Sequence, residues 1–254
     1  MLKHRNIIVL CLLLLVLLFA LNAKWWAFLF ILMVFVGVTS WGSFDLRLSY
    51  FLTAHCNNPK EKEDKIAITF DDGPHEMTEK VLDLLQNYNA KATFFCIGTQ
   101  IEKHPDIMNR MMSEGHILGN HTYFHSKSFG FFSAEKVKEE ILKNDSLLFQ
   151  FTNKKIKFFR PPFGVTNPNV ARAVSETKHT VIGWNIRSLD TVIDDENKIF
   201  ERIKSKIEPG GIILLHDTSL KTVNVLEQLL LLLQSEKYDI VTIDKLLNLP
   251  AYED

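Results

Sequence analysis

The chain has 254 residues, of which 46% are hydrophobic and 23% charged, so it can hold one ordinary domain together with an additional segment. Its formal net charge is −1 and no basic stripe stands out, which argues against a nucleic-acid partner. The three cysteines form no pattern typical of a disulfide framework or of a site in which paired cysteines bind a metal.

Two uncharged segments stand almost back to back near the N-terminus. Residues 6–23 carry no charge, and after a single lysine a second uncharged run covers residues 25–44. Each segment is close to the roughly 20 residues that a bilayer-spanning helix needs. Trp25 and Trp41 are placed like anchors at a membrane–water interface. We therefore predict a membrane anchor over residues 1–44, made of one or two transmembrane helices.

The side of the membrane on which the rest of the chain lies stays open. Lys3, His4 and Arg5 favour a cytoplasmic N-terminus. Two membrane spans would return the following domain to the cytoplasmic side, whereas one span would place it outside. A cleaved signal peptide is the competing interpretation, but the apolar run over residues 7–21 is long and no clear cleavage site follows it.

The remainder of the chain has the pattern of an α/β domain. The composition becomes polar between residues 53 and 64, which predicts a linker over residues 45–63 and a domain over residues 64–254. In that domain short apolar runs alternate with amphipathic stretches, which indicates a parallel sheet or barrel. The candidate strands cover residues 65–71, 91–97, 116–120, 156–160, 180–186, 211–216 and 239–243.

Polar side chains that can do chemistry follow five of these candidate strands. They are Asp71 with Asp72, His121 with His125, Arg160, Asp190 and His216. Because the carboxyl ends of parallel strands meet at one edge, we expect these side chains to lie together. Two imidazoles and one carboxylate suit zinc, and two histidines four residues apart would share one face if their segment were helical. Taken singly, each residue has an ordinary alternative, such as a turn aspartate, a core histidine or a surface arginine.

The order of these motifs closely resembles the polysaccharide deacetylase family, also called the NodB homology domain or carbohydrate esterase family 4. The motifs are TFDDG at 69–73, HTYFH at 121–125, RPPFG at 160–164 and IILLHD at 212–217. The resemblance covers about residues 64–248 and leaves out the apolar N-terminal segments. It implies a distorted (β/α)7-type barrel that binds a divalent metal ion, usually zinc, and removes acetyl groups from N-acetylated sugars.

The resemblance also implies roles for the residues of the first motifs. Asp72, His121 and His125 match the family's metal ligands. Asp71 matches its catalytic base, and Arg160 resembles the residue that holds this base in place.

The later motifs match the family less completely. His216 is similar to the general acid, and Asp190 resembles the carboxylate that supports it. Leu214 would line the pocket for the acetyl methyl group, and the backbone N–H of Phe163 would help to bind the oxyanion. Thr191 stands where the family commonly has a tryptophan, so one wall of the sugar groove would be missing or supplied from elsewhere.

The predicted function is that of a membrane-anchored, metal-dependent hydrolase that removes N-acetyl groups from amino sugars of an envelope glycan such as peptidoglycan. Asp71 would take a proton from water, and His216 would protonate the leaving nitrogen, because an amine leaves poorly without a proton. One alternative is a deacylase of a lipid-linked sugar in the cytoplasmic leaflet, which two spans would fit. The other is a non-catalytic carbohydrate-binding protein, against which the intact Asp71 and His216 speak.

Overall fold

The computed structural model describes residues 3–253, so residues 1 and 2 of the predicted anchor and residue 254 of the predicted domain lie outside the described part. Helices α1 (His4–Ala20) and α2 (Trp25–Phe44) come first and form an apolar hairpin. Side chains of both helices, among them Leu12 and Phe28, line one apolar cavity between them. Of the two, only α2 is long and apolar enough to cross a membrane, whereas α1 is apolar but shorter.

The open end of this hairpin rests on the rest of the chain. The backbone N–H of His4 donates a hydrogen bond to the carbonyl of Tyr50 (3.0 Å), and the Thr166 N–H donates to the carbonyl of Ser43 (2.9 Å). The Tyr50 hydroxyl also lies 3.2 Å from Thr39 Oγ1. The start of α1 and the end of α2 therefore lie at the same end of the hairpin, against the domain.

Residues 45–63, predicted to be a linker, fold against the domain. Tyr50 and Cys56 are buried, and strand β1 (Ala54–His55) pairs in parallel with residues 181–182. A strand of two residues is too short to show as an apolar alternation in the sequence, and polar residues follow it directly. The segment is thus continuous with the sheet that begins after it.

One parallel sheet forms the centre of the domain. Its strands after β1 are β2 (Lys65–Asp71), β3 (Thr93–Cys96), β4 (Ile117–Asn120), β6 (Phe158–Phe159), β7 (Thr180–Ile182), β8 (Ile186–Arg187), β9 (Ile212–His216) and β10 (Asp239–Ile240). The strand order is β1-β7-β6-β4-β3-β2-β9-β8, with β10 beside the start of β2. Strands β5 (Lys155–Ile156) and β11 (Tyr252–Glu253) form a separate antiparallel pair.

Helices follow most of these strands and cover the outside of the sheet. They are α3 (Glu76–Asn87), α4 (Gly98–Ile101), α5 (Pro105–Ser113), α6 (Ala134–Thr152), α7 (Pro168–Thr177), α8 (Glu196–Lys204), α9 (Leu220–Ser235) and α10 (Ile243–Leu247). Helix α9 carries the leucine run 229–233, in which Leu229, Leu230 and Leu233 are fully buried in the core. This leucine run is therefore part of the core of the domain.

The predicted single strand over residues 180–186 is wrong, because the structure has two strands there at different places in the sheet. β7 lies beside β6, whereas β8 lies at the far end beside β9. The three residues between β7 and β8 connect the two ends of the sheet. The Gly183 N–H donates a hydrogen bond to the His55 carbonyl of β1 (2.8 Å), and the Asn185 N–H donates to the Ile212 carbonyl of β9 (3.3 Å). The sheet therefore curls into a distorted barrel that an irregular link closes.

The alternation of side chains along β2 decides which residues face the barrel interior. Ile66, Ile68 and Phe70 pack in the core under the helices, whereas Ala67 belongs to a second cluster that includes side chains from β3, β6 and β9. Since successive side chains of a strand point to opposite faces, the face of Ala67 continues to Asp71. The barrel interior thus ends in a carboxylate at the carboxyl edge.

Candidate active site

The two adjacent aspartates stand at the point where β2 ends. Asp71 is its last residue and is buried, and Asp72 follows with a φ of 73°, a left-handed conformation that aspartate tolerates better than most residues. Gly73 is required next, because a Cβ there would collide with the carboxylate of Asp217. The turn after β2 therefore exposes two carboxylates at one point of the cleft.

Asp72, His121 and His125 form a cluster with the geometry of a metal site. One potential ligand atom from each lies within 4.8 Å of the others. Asp72 Oδ1 is 3.5 Å from His121 Nε2 and 3.4 Å from His125 Nε2. These are the three residues that the sequence proposed as ligands.

The segment that carries the two histidines is irregular, so the condition that it be helical is not met. Thr122 and His125 have φ values of 65° and 50°. The Asn120 side-chain oxygen accepts a hydrogen bond from the Thr122 N–H (2.8 Å), and Thr122 Oγ1 accepts one from the His125 N–H (3.1 Å). These side-chain bonds fold the loop so that both imidazoles face Asp72.

The surroundings of this cluster fit a divalent cation. His121 Nδ1 lies 2.7 Å from the carbonyl of Arg160, and because a carbonyl can only accept, Nδ1 carries the proton and Nε2 offers its lone pair to the cleft. Asp72 Oδ1 is buried without a hydrogen-bond partner among residues 3–253. An orphaned carboxylate oxygen between two imidazole nitrogens is a donor set typical of catalytic zinc.

The pKa shifts of the three residues in the cluster also indicate a site that favours a cation. Burial raises the pKa of Asp72, but the charges of the neighbouring histidines, His121 foremost, outweigh it and hold that pKa below its usual range. Burial and the neighbouring His121 lower the pKa of His125 to about 4. For His121, burial lowers the pKa, but the charges of Asp71 and Asp72 prevail and raise it. A positive charge is thus favoured between these carboxylates, as a proton or as a cation.

Arg160 holds Asp71 from behind the cleft. Its Nη1 donates to Asp71 Oδ1 at 2.7 Å and to Thr69 Oγ1 at 2.8 Å, and Nη2 donates to the carbonyl of Gly183 at 2.9 Å. The guanidinium is fully buried and stacks 4.0 Å from the centre of the Phe95 ring. The other carboxylate oxygen of Asp71 lies 3.8 Å from His121 Nε2, on the cleft side.

His216 and Asp190 form a second fixed pair. His216 is the last residue of β9, and its Nδ1 lies 2.8 Å from Asp190 Oδ1. Asp190 also accepts hydrogen bonds from the hydroxyls of Ser188 (2.7 Å) and Thr222 (2.9 Å) and from the His216 N–H (2.8 Å). Since Asp190 is held at both oxygens, the imidazole is oriented with Nε2 toward the cleft.

The protonation of this pair follows from the same contacts. Burial lowers the pKa of His216, but the hydrogen bond and charge of Asp190 outweigh it and raise that pKa to about 9. Burial raises the pKa of Asp190, but the hydrogen bond and charge of His216 prevail and lower it. At neutral pH the imidazole is therefore protonated and the carboxylate ionised.

A cavity of about 240 Å³ joins these groups. Its lining includes Asp71, Asp72, His121, His125, Phe163, Gly164, Trp184, Arg187, Thr191, Leu214 and His216. All nine residues predicted for the site thus lie in or directly behind one cleft, with Arg160 and Asp190 forming the support.

Phe163, Leu214 and Thr191 line the cleft. Phe163 has a φ of 59°, and its N–H donates no hydrogen bond to another residue within 3–253. Thr191 lines the same cleft, in which Trp184 and Phe163 supply the aromatic surface. Trp184 belongs to the link between β7 and β8.

Several supporting residues escaped the sequence-based predictions. Ser188, Thr222 and Thr69 are ordinary hydroxyl residues, and nothing in their local pattern indicates that they hold Asp190 or Arg160. Asp190 itself follows the short strand β8 and not the longer strand that was predicted over residues 180–186. Asp217, next to His216 in the motif, is fully buried, and Thr78 Oγ1 donates to its Oδ2 at 2.6 Å.

Comparison with known proteins identifies the family to which this cleft belongs. The family model described as polysaccharide deacetylase matches residues 58–182. A peptidoglycan-N-acetylglucosamine deacetylase of Bacillus cereus is 34% identical over 189 residues, which cover 72% of this chain and 88% of that relative. The chain belongs to the polysaccharide deacetylase family.

Other members of the family differ in length. A second Bacillus cereus protein of the same name is 35% identical over 155 residues, or 61% of this chain, but the match spans only 56% of that relative. The crystal structure of the Bc1960 peptidoglycan N-acetylglucosamine deacetylase, in complex with 4-naphthalen-1-yl-N-oxidanyl-benzamide, superposes with a TM-score of 0.73. It is 29% identical and covers 79% of this chain and 94% of its own. The predicted family and the α/β barrel-type fold are confirmed.

Proposed function

We propose that this polysaccharide deacetylase is a metal-dependent hydrolase that removes N-acetyl groups from amino sugars of an envelope glycan such as peptidoglycan. One observation carries the proposal: a three-residue ligand cluster, a carboxylate held by arginine and an imidazole held by aspartate open into the same cleft. The names of its relatives, which are peptidoglycan deacetylases, support the glycan substrate.

Asp72, His121 and His125 would hold the metal ion, for which we propose zinc. A divalent cation bound there would polarise the amide carbonyl and acidify a water molecule. The chain's part is to fix the three ligands, which it does through the Arg160 carbonyl on His121 and the side-chain bonds of the loop.

Asp71 is the proposed base. Arg160 occupies its Oδ1, so the carboxylate cannot rotate freely, and the remaining oxygen faces the cleft. A base held in this way can accept a proton from water without itself binding the metal, which explains why two adjacent aspartates are needed.

His216 is the proposed acid. Its Nδ1–H donates a hydrogen bond to Asp190. The proton on Nε2 is available to the cleft because the pKa of His216 is raised to about 9. An amine leaves poorly as an anion, so transfer of this proton to the departing nitrogen completes hydrolysis to acetate and free amine.

The acetyl group itself would be bound by Leu214 and Phe163. Leu214 offers its side chain to the methyl group, and the free N–H of Phe163 would donate to the oxygen on which negative charge develops. Trp184 would supply the sugar-facing aromatic wall for which Thr191 is too small.

For the whole chain we propose an anchor over residues 1–44 and the deacetylase domain over 64–254, with residues 45–63 connecting the two and adding strand β1 to the sheet of the domain. Helix α2 would anchor the protein in a bacterial-type cell membrane, with α1 beside it. If both helices cross, a lipid-linked sugar in the cytoplasmic leaflet is the second candidate substrate, because Lys3 and Arg5 favour a cytoplasmic N-terminus and the hairpin returns the domain to that side.

Acetate release from N-acetylglucosamine oligomers tests this function against simple carbohydrate binding. We expect release by the purified chain, loss of release with a chelator, and recovery on adding zinc. Sugar binding that persists with the chelator, with no acetate formed in any condition, would mean that the chain is a binding protein.

A further inference from the structure

A second cavity of about 340 Å³ lies beside the catalytic cleft. One side comes from the end of α2 and the residues after it, and the other from the link between β7 and β8 and the end of α8. The lining residues are Trp41, Phe44, Asp45, Leu46, Arg47, Trp184, Asn185, Arg187, Arg202 and Lys206. Trp184 and Arg187 also line the catalytic cleft, so the two cavities share a wall.

The lining of this cavity carries a surplus of positive charge. It has four cationic side chains and one carboxylate, Asp45, which is already bound by Arg47 at 2.7 and 2.8 Å. Within residues 3–253, no carboxylate lies within 4.0 Å of the side-chain nitrogens of Arg187, Arg202 or Lys206. Unpaired cations that converge on one cavity favour an anionic ligand.

The arginines are held in place by contacts that leave donors free. Arg202 Nε donates to the carbonyl of Arg187 at 2.9 Å, and its terminal nitrogens bond to no other residue of the described part. The Arg187 guanidinium lies 5.9 Å from the centre of the Trp184 ring. Planar guanidinium groups with free terminal nitrogens match the oxygens of a phosphate.

The remaining wall of the cavity is aromatic and lies at the end of the membrane-type helix. Trp41 and Phe44 are 56% and 72% exposed, and both belong to the last turn of α2. Aromatic residues at this position are typical of a membrane–water interface. The cavity therefore presents cationic side chains that can bind an anionic group and, beside them, aromatic side chains that can contact an apolar group of the same ligand.

We propose that this cavity binds a phosphate or diphosphate carried by the acetamido sugar whose acetyl group lies in the catalytic cleft. The proposal rests on the deacetylase function proposed above and makes a phosphate-bearing acetamido sugar the favoured substrate of that function. The wall shared by the two cavities favours a phosphate that belongs to the substrate, because an anion bound at Arg187 would lie next to a sugar in the cleft. An anionic phospholipid headgroup offers the same chemistry but has no connection to the sugar.

Two synthetic probes test this substrate class with the full-length chain in detergent. One is N-acetylglucosamine joined to a short-chain alcohol through a diphosphate, and the other is the same sugar joined to the same alcohol by an uncharged glycosidic bond. We expect Lys206→Gln to raise KM about ten-fold for the diphosphate probe, the loss of one charge-assisted hydrogen bond, and to leave the uncharged probe unchanged. Lys204→Gln, at the last residue of α8 and two residues before Lys206, is the control, since Lys204 does not line the cavity.

Equal effects of Lys206→Gln on both probes, or an effect on neither, would overturn the proposal. Binding to vesicles with and without phosphatidylglycerol is measured beside the kinetics. Weaker binding of the variant to the anionic vesicles, with an unchanged KM for the diphosphate probe, would assign the cavity to a phospholipid headgroup and also overturn it.

Direct binding of the diphosphate probe to metal-free protein, measured by calorimetry, separates this inference from the deacetylase function. If the wild type releases no acetate from either probe but binds the diphosphate probe about ten-fold more tightly than Lys206→Gln does, the anion site stands and the deacetylase function fails. If acetate is released while the two proteins bind the probe equally, the function stands and the anion site fails.

Discussion

At the scale of single residues, each proposed reactive group is paired with a second group that orients it. Asp71 is held by Arg160, His216 by Asp190 and His121 by the carbonyl of Arg160. Arg160 thus supports both the proposed base and a proposed ligand, although it is fully buried and touches no cleft space. Such pairs fix atoms before substrate arrives, which is how a site reduces the cost of reorganisation during reaction.

The pair of His216 and Asp190 makes a prediction about pH. His216 acts as an acid only while protonated, and its pKa is raised to about 9, so activity is present below that pH and lost as the pH rises through it. Asp190→Asn removes the charge that raises this pKa, so we expect the alkaline limb of kcat/KM to move to lower pH. A bound cation lowers the pKa of His216, and with it the pH of the alkaline limb, in both proteins. The comparison is therefore made with both proteins fully loaded with zinc. An alkaline limb at the same pH in both proteins would show that His216 is not the general acid.

At the scale of secondary structure, strands with a strong apolar pattern are predictable from sequence and short or irregular elements are not. Strand β2 has the predicted bounds, because its buried side chains on both faces leave a continuous apolar run. The position of the site at the carboxyl edge of the sheet is predictable for the same reason, because a strand with clear bounds also shows where its carboxyl end lies.

Elements of two or three residues carry no period that a sequence can show. β1 was missed, and β7 and β8 were joined into one strand although Gly183 and Asn185 redirect the chain between them. The loop over 121–125 takes its shape from local hydrogen bonds to the Asn120 and Thr122 side chains, which a helical spacing does not describe.

The helical hairpin makes a prediction about topology. The start of α1 and the end of α2 both contact the segment around Tyr50. We therefore expect reporters fused to the N-terminus and to the C-terminus to lie on the same side of the membrane, as measured with one reporter active only inside the cell and another active only outside. Reporters on opposite sides would show that α2 crosses alone and that the hairpin opens in the membrane.

At the scale of the whole molecule, the catalytic cleft, the cationic cavity and the end of the apolar hairpin lie next to one another. Trp184 contributes to both cavities, and the second cavity reaches Trp41 and Phe44 of α2. If the hairpin anchors the chain as proposed, the cleft would meet its substrate at the membrane surface. Under the proposals above, the N-terminal hairpin would take part in selecting the sugar and would also anchor the domain.

Substitution of the proposed base tests the central claim most directly. Asp71→Asn keeps the size of the side chain and leaves Asp72, His121 and His125 in place, but it cannot accept a proton from water. We expect acetate release to fall by about 10²–10⁴-fold while the zinc content per chain stays that of the wild type. Acetate release at the wild-type rate from zinc-loaded Asp71→Asn would contradict the account.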